Sequence, residues 1–82
     1  MTILVTGGLG YIGSHTVVEL LQNNFQVIIV DDMSNSEKFI LDNIEKIGGK
    51  RPVFFPFDLR RKELLSQVFD AYEIDGCIHF AA

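Results

Sequence analysis

The chain has 82 residues, 48% of them apolar and 22% charged, and a net charge of −4. That acidic balance argues against nucleic-acid binding, which calls for a basic face, and the single Cys77 rules out an intramolecular disulfide, so nothing points to an oxidising compartment. No apolar run approaches the roughly 20 residues of a membrane span, and Met1-Thr2-Ile3-Leu4-Val5 enters a glycine loop without the basic and apolar stretches of a secretory leader, so the expectation is a soluble, cytoplasmic α/β segment with no membrane partner.

Ile3-Leu4-Val5-Thr6 reads as a buried strand, rich in β-branched residues and stopped by Gly7-Gly8. Ile12 to Asn23 reads as a helix with Val17, Val18, Leu20 and Leu21 on its inward side, broken by Asn23-Asn24. Val27-Ile28-Ile29-Val30 is apolar at every position, the pattern of a strand covered on both faces in a parallel sheet. Asp31 to Ser36 is a polar loop, from which Ser34 or Ser36 would cap the next helix. That helix places Ile40, Ile44 and Ile47 at i, i+4 and i+7, and Gly48-Gly49 ends it.

Val53-Phe54-Phe55, bracketed by Pro52 and Pro56, predicts a third strand. Asp58 is placed to cap a third helix of roughly Arg60 to Tyr72, with a stripe of Leu65, Val68, Phe69 and Tyr72. Gly76 to Ala82 predicts a fourth strand. The order β-α-β-α-β-α-β implies right-handed crossovers and a parallel sheet. The expected fold is α/β, a Rossmann-type doubly wound sheet whose first four strands lie in the order 3-2-1-4 with three helices. A chain this short buries only about 60% of its unfolded surface, and the fourth strand would have an open edge and an uncovered face. Residues 1–82 are therefore expected to be the incomplete N-terminal part of a larger dinucleotide-binding domain.

Thr6-Gly7-Gly8-Leu9-Gly10-Tyr11-Ile12-Gly13 carries glycines at 7, 10 and 13 between a predicted strand and a predicted helix, the context in which such spacing has meaning. Gly7 turns the chain out of the strand. Gly10 leaves the backbone free to approach a pyrophosphate, and Gly13 lets the helix pack close to the sheet. The N–H groups at the helix start then face the phosphates, aided by the helix dipole. A Walker-type loop is excluded, because no Gly-Lys-Ser/Thr follows.

Asp31, 18 positions after Gly13 at the end of the second strand, is placed to accept hydrogen bonds from adenosine ribose hydroxyls. It would repel a 2′-phosphate, and Asp32 adds a second negative charge, so NAD is favoured over NADP. Asp58 would accept from the adenine amino group, cap the third helix, or do both. Asn35 and Ser36 would hydrogen-bond the adenosine ribose and its phosphate, or cap the second helix. His15 and His79 lack the spaced partners of a metal site and read as structural; Cys77 reads as a small core residue and Arg60-Arg61-Lys62 as a solvated helix start. No Tyr-x-x-x-Lys pair occurs in the chain.

The run from Val5 to Thr16, Val-Thr-Gly-Gly-Leu-Gly-Tyr-Ile-Gly-Ser-His-Thr, resembles the opening of the UDP-glucose 4-epimerase family within the extended short-chain dehydrogenases/reductases. So do Asp31-Asp32-Met33-Ser34-Asn35-Ser36 and Ile78-His79-Phe80-Ala81-Ala82, and the similarity runs through the whole chain. Nucleotide-sugar dehydratases and decarboxylases share the glycine loop; a non-catalytic nucleotide-binding module is the alternative from another class. By position, the resemblance implies NAD contacts at Gly7, Gly10, Tyr11, Ile12, Asp31, Asp32, Met33, Asn35, Ser36, Asp58, Leu59, Phe80, Ala81 and Ala82. Two departures stand out: Asp32 replaces a usual Asn, and Ala82 a usual Gly. The implied reaction interconverts UDP-galactose and UDP-glucose through a 4-keto sugar, with a tightly held NAD⁺ taking and returning the C4 hydride. The proton-handling Tyr, Lys and Ser/Thr of such enzymes would lie downstream of Ala82. The implied partners are a UDP-sugar and, for the full-length protein, a second copy in a homodimer.

Overall fold

A computed structural model describes residues 1–7, 11–32 and 38–80. The elements follow as β1 (Thr2–Thr6), α1 (Tyr11–Gln22), β2 (Gln26–Asp31), α2 (Lys38–Gly48), β3 (Val53–Pro56), α3 (Lys62–Ala71) and β4 (Gly76–His79). All pairings are parallel and the strand order is β3-β2-β1-β4, as the alternating pattern predicts.

The period-2 alternation of β1 and β2 divides the core between the two faces of the sheet. Val5, Val27 and Ile29 pack with Val17 and Leu21 of α1 and Leu41 and Ile44 of α2. Leu4, Ile28 and Val30 face the other way and pack with Val68 of α3. The unbroken apolar run of β2 thus belongs to a strand with helices on both sides, and Ile28 and Ile29 are both 0% exposed.

The breakers act as their chemistry requires. Asn24 takes φ 68° after α1 and Gly49 takes φ 85° after α2, where its N–H donates to the Glu45 carbonyl. The capping expectation for Ser34 and Ser36 lies outside the described residues.

Two helix stripes are rotated from the sequence expectation. In α2 the buried line runs through Leu41, Ile44 and Gly48, while Ile47 is 61% exposed. The absent side chain at Gly48 is what allows this: a Cβ there would lie 3.1 Å from Leu21 of α1. In α3 the line is Leu65, Val68 and Tyr72, and Phe69 flanks it half exposed. Tyr72 also sets its ring edge-on to Phe55, at a centroid distance of 6.2 Å. The helix is shorter than expected at both ends, because Arg60 lies in the preceding turn and Tyr72 is already extended.

Cys77, expected in the core, is exposed. Its register partner is Leu4, so it lies on the α3 face of the sheet. Val68 of α3 covers Leu4, Ile28 and Val30 there; Cys77 and His79 stay exposed at the sheet edge. The fourth strand itself ends at His79, with Phe80 following it and Ala81 and Ala82 outside the described residues.

Candidate functional site

Parallel pairing brings the carboxyl ends of all four strands to one edge of the sheet. Thr6 stands in register with Val30 and with His79, and Asp31 with Pro56. Ligands of open α/β sheets bind outside this edge, at the point where strand order reverses. Here that point lies between β1 and β4.

At the end of β1, Gly7 takes φ 72° and its N–H donates to the Val30 carbonyl at 2.9 Å. The chain is thereby turned sharply off the strand while still tied to β2. A side chain at φ 72° would be strained, which explains the glycine. Gly10 lies outside the described residues. Tyr11 opens α1, Ile12 beside it is 66% exposed, and Gly13 is buried where the helix meets the sheet. The first turn of α1 carries no acidic residue, so nothing there opposes an anion at the helix N-terminus.

Asp31 is the last residue of β2 and half-buried; Asp32 follows it, exposed. Met33, Asn35 and Ser36 lie outside the described residues. On the far side of β2, Asp58 and Leu59 follow β3, and Leu59 packs against the Leu4–Ile28–Val30 cluster. On the other flank of β1, Phe80 is 37% exposed and its N–H donates to the Thr6 carbonyl at 2.8 Å. Gly7, Ile12, Asp31, Asp32, Asp58, Leu59 and Phe80 therefore share the carboxyl edge of the sheet.

Asp58 does not cap α3. The residue at the helix N-cap is Arg61, without a side-chain cap bond. Instead the Asp58 carboxylate folds back on its own turn: Oδ1 accepts the Arg60 backbone N–H at 2.8 Å, and Oδ2 accepts from the Arg60 terminal guanidinium nitrogen at 2.7 Å. The Arg60 Nε–H is shared between the two oxygens at 3.2 and 3.1 Å. This is an Asx turn closed by a guanidinium fork. The Arg60 side chain holds the Asp58 carboxyl down to about 2, and Asp58 in turn raises the guanidinium, with Asp32 adding to the same field. Sequence reasoning passed over Arg60 as solvated; the signal available was the Asp-x-Arg spacing directly after a strand.

His79 is the other residue that gains a definite role. Its Nδ1 lies 2.5 Å from the hydroxyl of Thr6, which is only 3% exposed. The pair stitches the ends of β1 and β4 together, the structural role expected for His79. Among the described residues no group of three or more His, Cys, Asp or Glu side chains could hold a metal ion, and no helix is long and apolar enough to cross a membrane.

A parallel sheet in this order, with a glycine turn and an acid-free helix start at the strand-order reversal, is a Rossmann-type α/β arrangement. The chain belongs to the GDP-mannose 4,6 dehydratase family, which it matches over residues 4–82. It is 55% identical over 80 residues to the bifunctional protein gal10 of Schizosaccharomyces pombe, covering 98% of this chain and 11% of that protein. It is 49% identical over 81 residues to a UDP-glucose 4-epimerase of Erwinia amylovora, covering 99% of this chain and 24% of the relative. Among solved structures, the UDP-glucose 4-epimerase of Bifidobacterium longum in complex with NAD⁺ and UDP superposes with a TM-score of 0.95 at 43% identity, over all of this chain and 24% of that one. The chain thus spans about a quarter of the length of such epimerases.

Proposed function

We propose that this chain forms the adenosine-binding part of an NAD-dependent UDP-glucose 4-epimerase, and that residues 1–82 are the N-terminal part of its Rossmann domain. The observation that carries the reading is the pairing of a glycine turn at Gly7 with a carboxylate, Asp31, one strand over at the same sheet edge. The residues fit such a cofactor on chemical grounds. Amide donors at the start of α1 suit a diphosphate, and carboxylate acceptors at the ends of β2 and β3 suit ribose hydroxyls and an amino group. Contacts are assigned to Gly7, Gly10, Tyr11 and Ile12 for the diphosphate region. Asp31, Asp32, Met33, Asn35, Ser36, Asp58 and Leu59 are assigned to the adenosine half. Phe80, Ala81 and Ala82 are assigned to the crevice beside β4.

When bound, NAD⁺ supplies the acceptor and donor of hydride at C4 of the sugar. The residues of this chain bind and orient it: Asp31 selects a free ribose 2′-hydroxyl and repels a 2′-phosphate, while Thr6 and His79 keep β1 and β4 in register beside it. None of the residues assigned here handles the sugar proton. The substrate is proposed to be a UDP-sugar, and the whole protein a cytoplasmic homodimer that takes no nucleic acid or membrane as partner.

The family match favours a second reading, a nucleotide-sugar dehydratase, which uses the same cofactor end. The two are separated by supplying UDP-galactose to the protein that carries this chain. Formation of UDP-glucose supports the epimerase, and water loss to a 4-keto-6-deoxy sugar with no C4 epimer refutes it.

A further inference from the structure

Asp58 follows β3 at the sheet edge where β2 ends in Asp31 and Asp32, and Arg60 pairs with Asp58 while Asp32 adds to the field at its guanidinium. Pro56, the register partner of Asp31, stands two residues before Asp58, and neighbouring strands run only about 5 Å apart. The Arg60 side chain is 90% exposed, so this ion pair does little for stability. Nor does α3 need it, since Arg61 and not Asp58 stands at the helix N-cap. What the fork does accomplish is orientation. Four contacts, from one backbone N–H and two guanidinium nitrogens, fix the plane of the Asp58 carboxylate.

We propose that Arg60 is a positioning and specificity-determining residue: it holds Asp58 as a fixed, acceptor-only carboxylate, so that this end of the site takes a purine bearing an amino group and rejects one bearing a carbonyl. This rests on the reading of the β2–β3 edge as the adenosine site. A carboxylate has about four lone-pair directions. The backbone N–H, the terminal nitrogen and the shared Nε–H of Arg60 together take about three of these, leaving about one for a ligand. An adenine amino group donates into it. The oxygen of hypoxanthine at the same ring position meets a carboxylate that has no proton to offer. A lysine could supply charge but not the planar fork, so the substitution Arg60→Lys restores the effect only in part.

The test uses the protein that carries this chain, freed of bound nucleotide. It is offered equal amounts of NAD⁺ and nicotinamide hypoxanthine dinucleotide, and the nucleotides it retains are released and separated by chromatography. The unmodified protein is expected to favour NAD⁺ by about tenfold or more, the worth of a hydrogen bond to a charged group. Arg60→Met lowers that preference several-fold, Arg60→Lys lowers it less, and Asp58→Asn abolishes it. If Arg60→Met keeps the full preference while Asp58→Asn loses it, Arg60 positions nothing, although the adenosine reading stands. If the unmodified protein binds NAD⁺ without preferring it to the analogue, the assignment of Asp58 fails and the role of Arg60 with it. If it binds neither dinucleotide, the cofactor reading itself is overturned. A role confined to folding would shift the melting temperature of Arg60→Met and leave the ratio unmoved.

Discussion

The sheet has two edge strands of equal length, and they are built differently. β3 is bracketed by prolines: Pro52 is buried just before it and Pro56 is its last residue. Phe54 packs against the α1–α2 side and Phe55 against the α3 side. β4 carries no proline. Its residues alternate half-buried and exposed, and among the described residues its half-buried Ile78 belongs to neither core cluster. Proline on an edge strand blunts pairing with further chains. β3 thus carries the proline protection of a sheet margin, and β4, the other edge of the four-stranded sheet, does not. Both strands end at the same carboxyl edge of the sheet, but β3 leaves it through a closed turn and β4 is tied there by the Thr6–His79 stitch.

The largest contrast is expected in stability. Phe55→Ala removes a ring packed on Tyr72 and on the Leu4 cluster, and should cost about 3 kcal/mol. Ile78→Ala removes a side chain that joins no cluster and should cost about 1 kcal/mol. Chemical denaturation of the protein carrying this chain measures both. Equal losses would mean that β4 is as well packed in solution as β3. The next effect concerns association. Replacing Pro56 with Val gives β3 back an N–H and a strand-favouring side chain. Sedimentation should then show more self-association than in the unmodified protein. No change would mean that the proline is not what guards this edge.

How far each region could be read in the sequence follows from the same difference. The element order and the 3-2-1-4 arrangement were legible because Ile3–Val5 and Val27–Val30 are apolar without interruption and are punctuated by Gly7, Asn24 and Gly49, whose φ values are all positive. The carboxylate at Asp31 was legible because it ends such a strand. What periodicity could not give was rotation about a helix axis. Ile40, Ile44 and Ile47 fit a stripe as well as Leu41, Ile44 and Gly48 do, and only the close approach of α2 to Leu21 decides between them. Cys77 was misjudged for a similar reason: its apolar neighbours signal a buried strand, but burial depends on what lies across the face. The Asp58–Arg60 fork escaped notice because both residues have ordinary solvated roles. Their joint geometry exists only once the chain turns after Pro56. Of the assigned contacts, Gly10, Met33, Asn35, Ser36, Ala81 and Ala82 lie outside the described residues.

A smaller effect sharpens the contrast at β4. Cys77 is exposed on the α3 face, and partial burial pushes its thiol above the usual value. The thiolate is the reactive form, so modification by a disulfide reagent should proceed in the folded protein and accelerate as pH rises toward and past 9. Protection of Cys77 under native conditions, lifted by denaturant, would show that this face is covered in solution and that the openness of β4 is only local to residues 1–82.

The smallest expected effect lies at the end of β3. Asp58 titrates at about 2 when folded, because the Arg60 guanidinium and backbone N–H bind its ionised form, whereas an unfolded aspartate titrates near 3.9. A carboxyl lowered by folding stabilises the fold fully above its unfolded value. That contribution therefore begins to fade below about pH 4 and is gone once the pH has fallen through about 2. Solvent screening keeps it slight at so exposed a pair, so the group is better followed directly, by carboxyl-carbon NMR through an acid titration. Arg60→Met should move the Asp58 midpoint up toward the ordinary aspartate range. A midpoint near 4 in the unmodified protein would mean that the fork is not formed in solution, and β3 would then finish at the carboxyl edge of the sheet with no more order than β4.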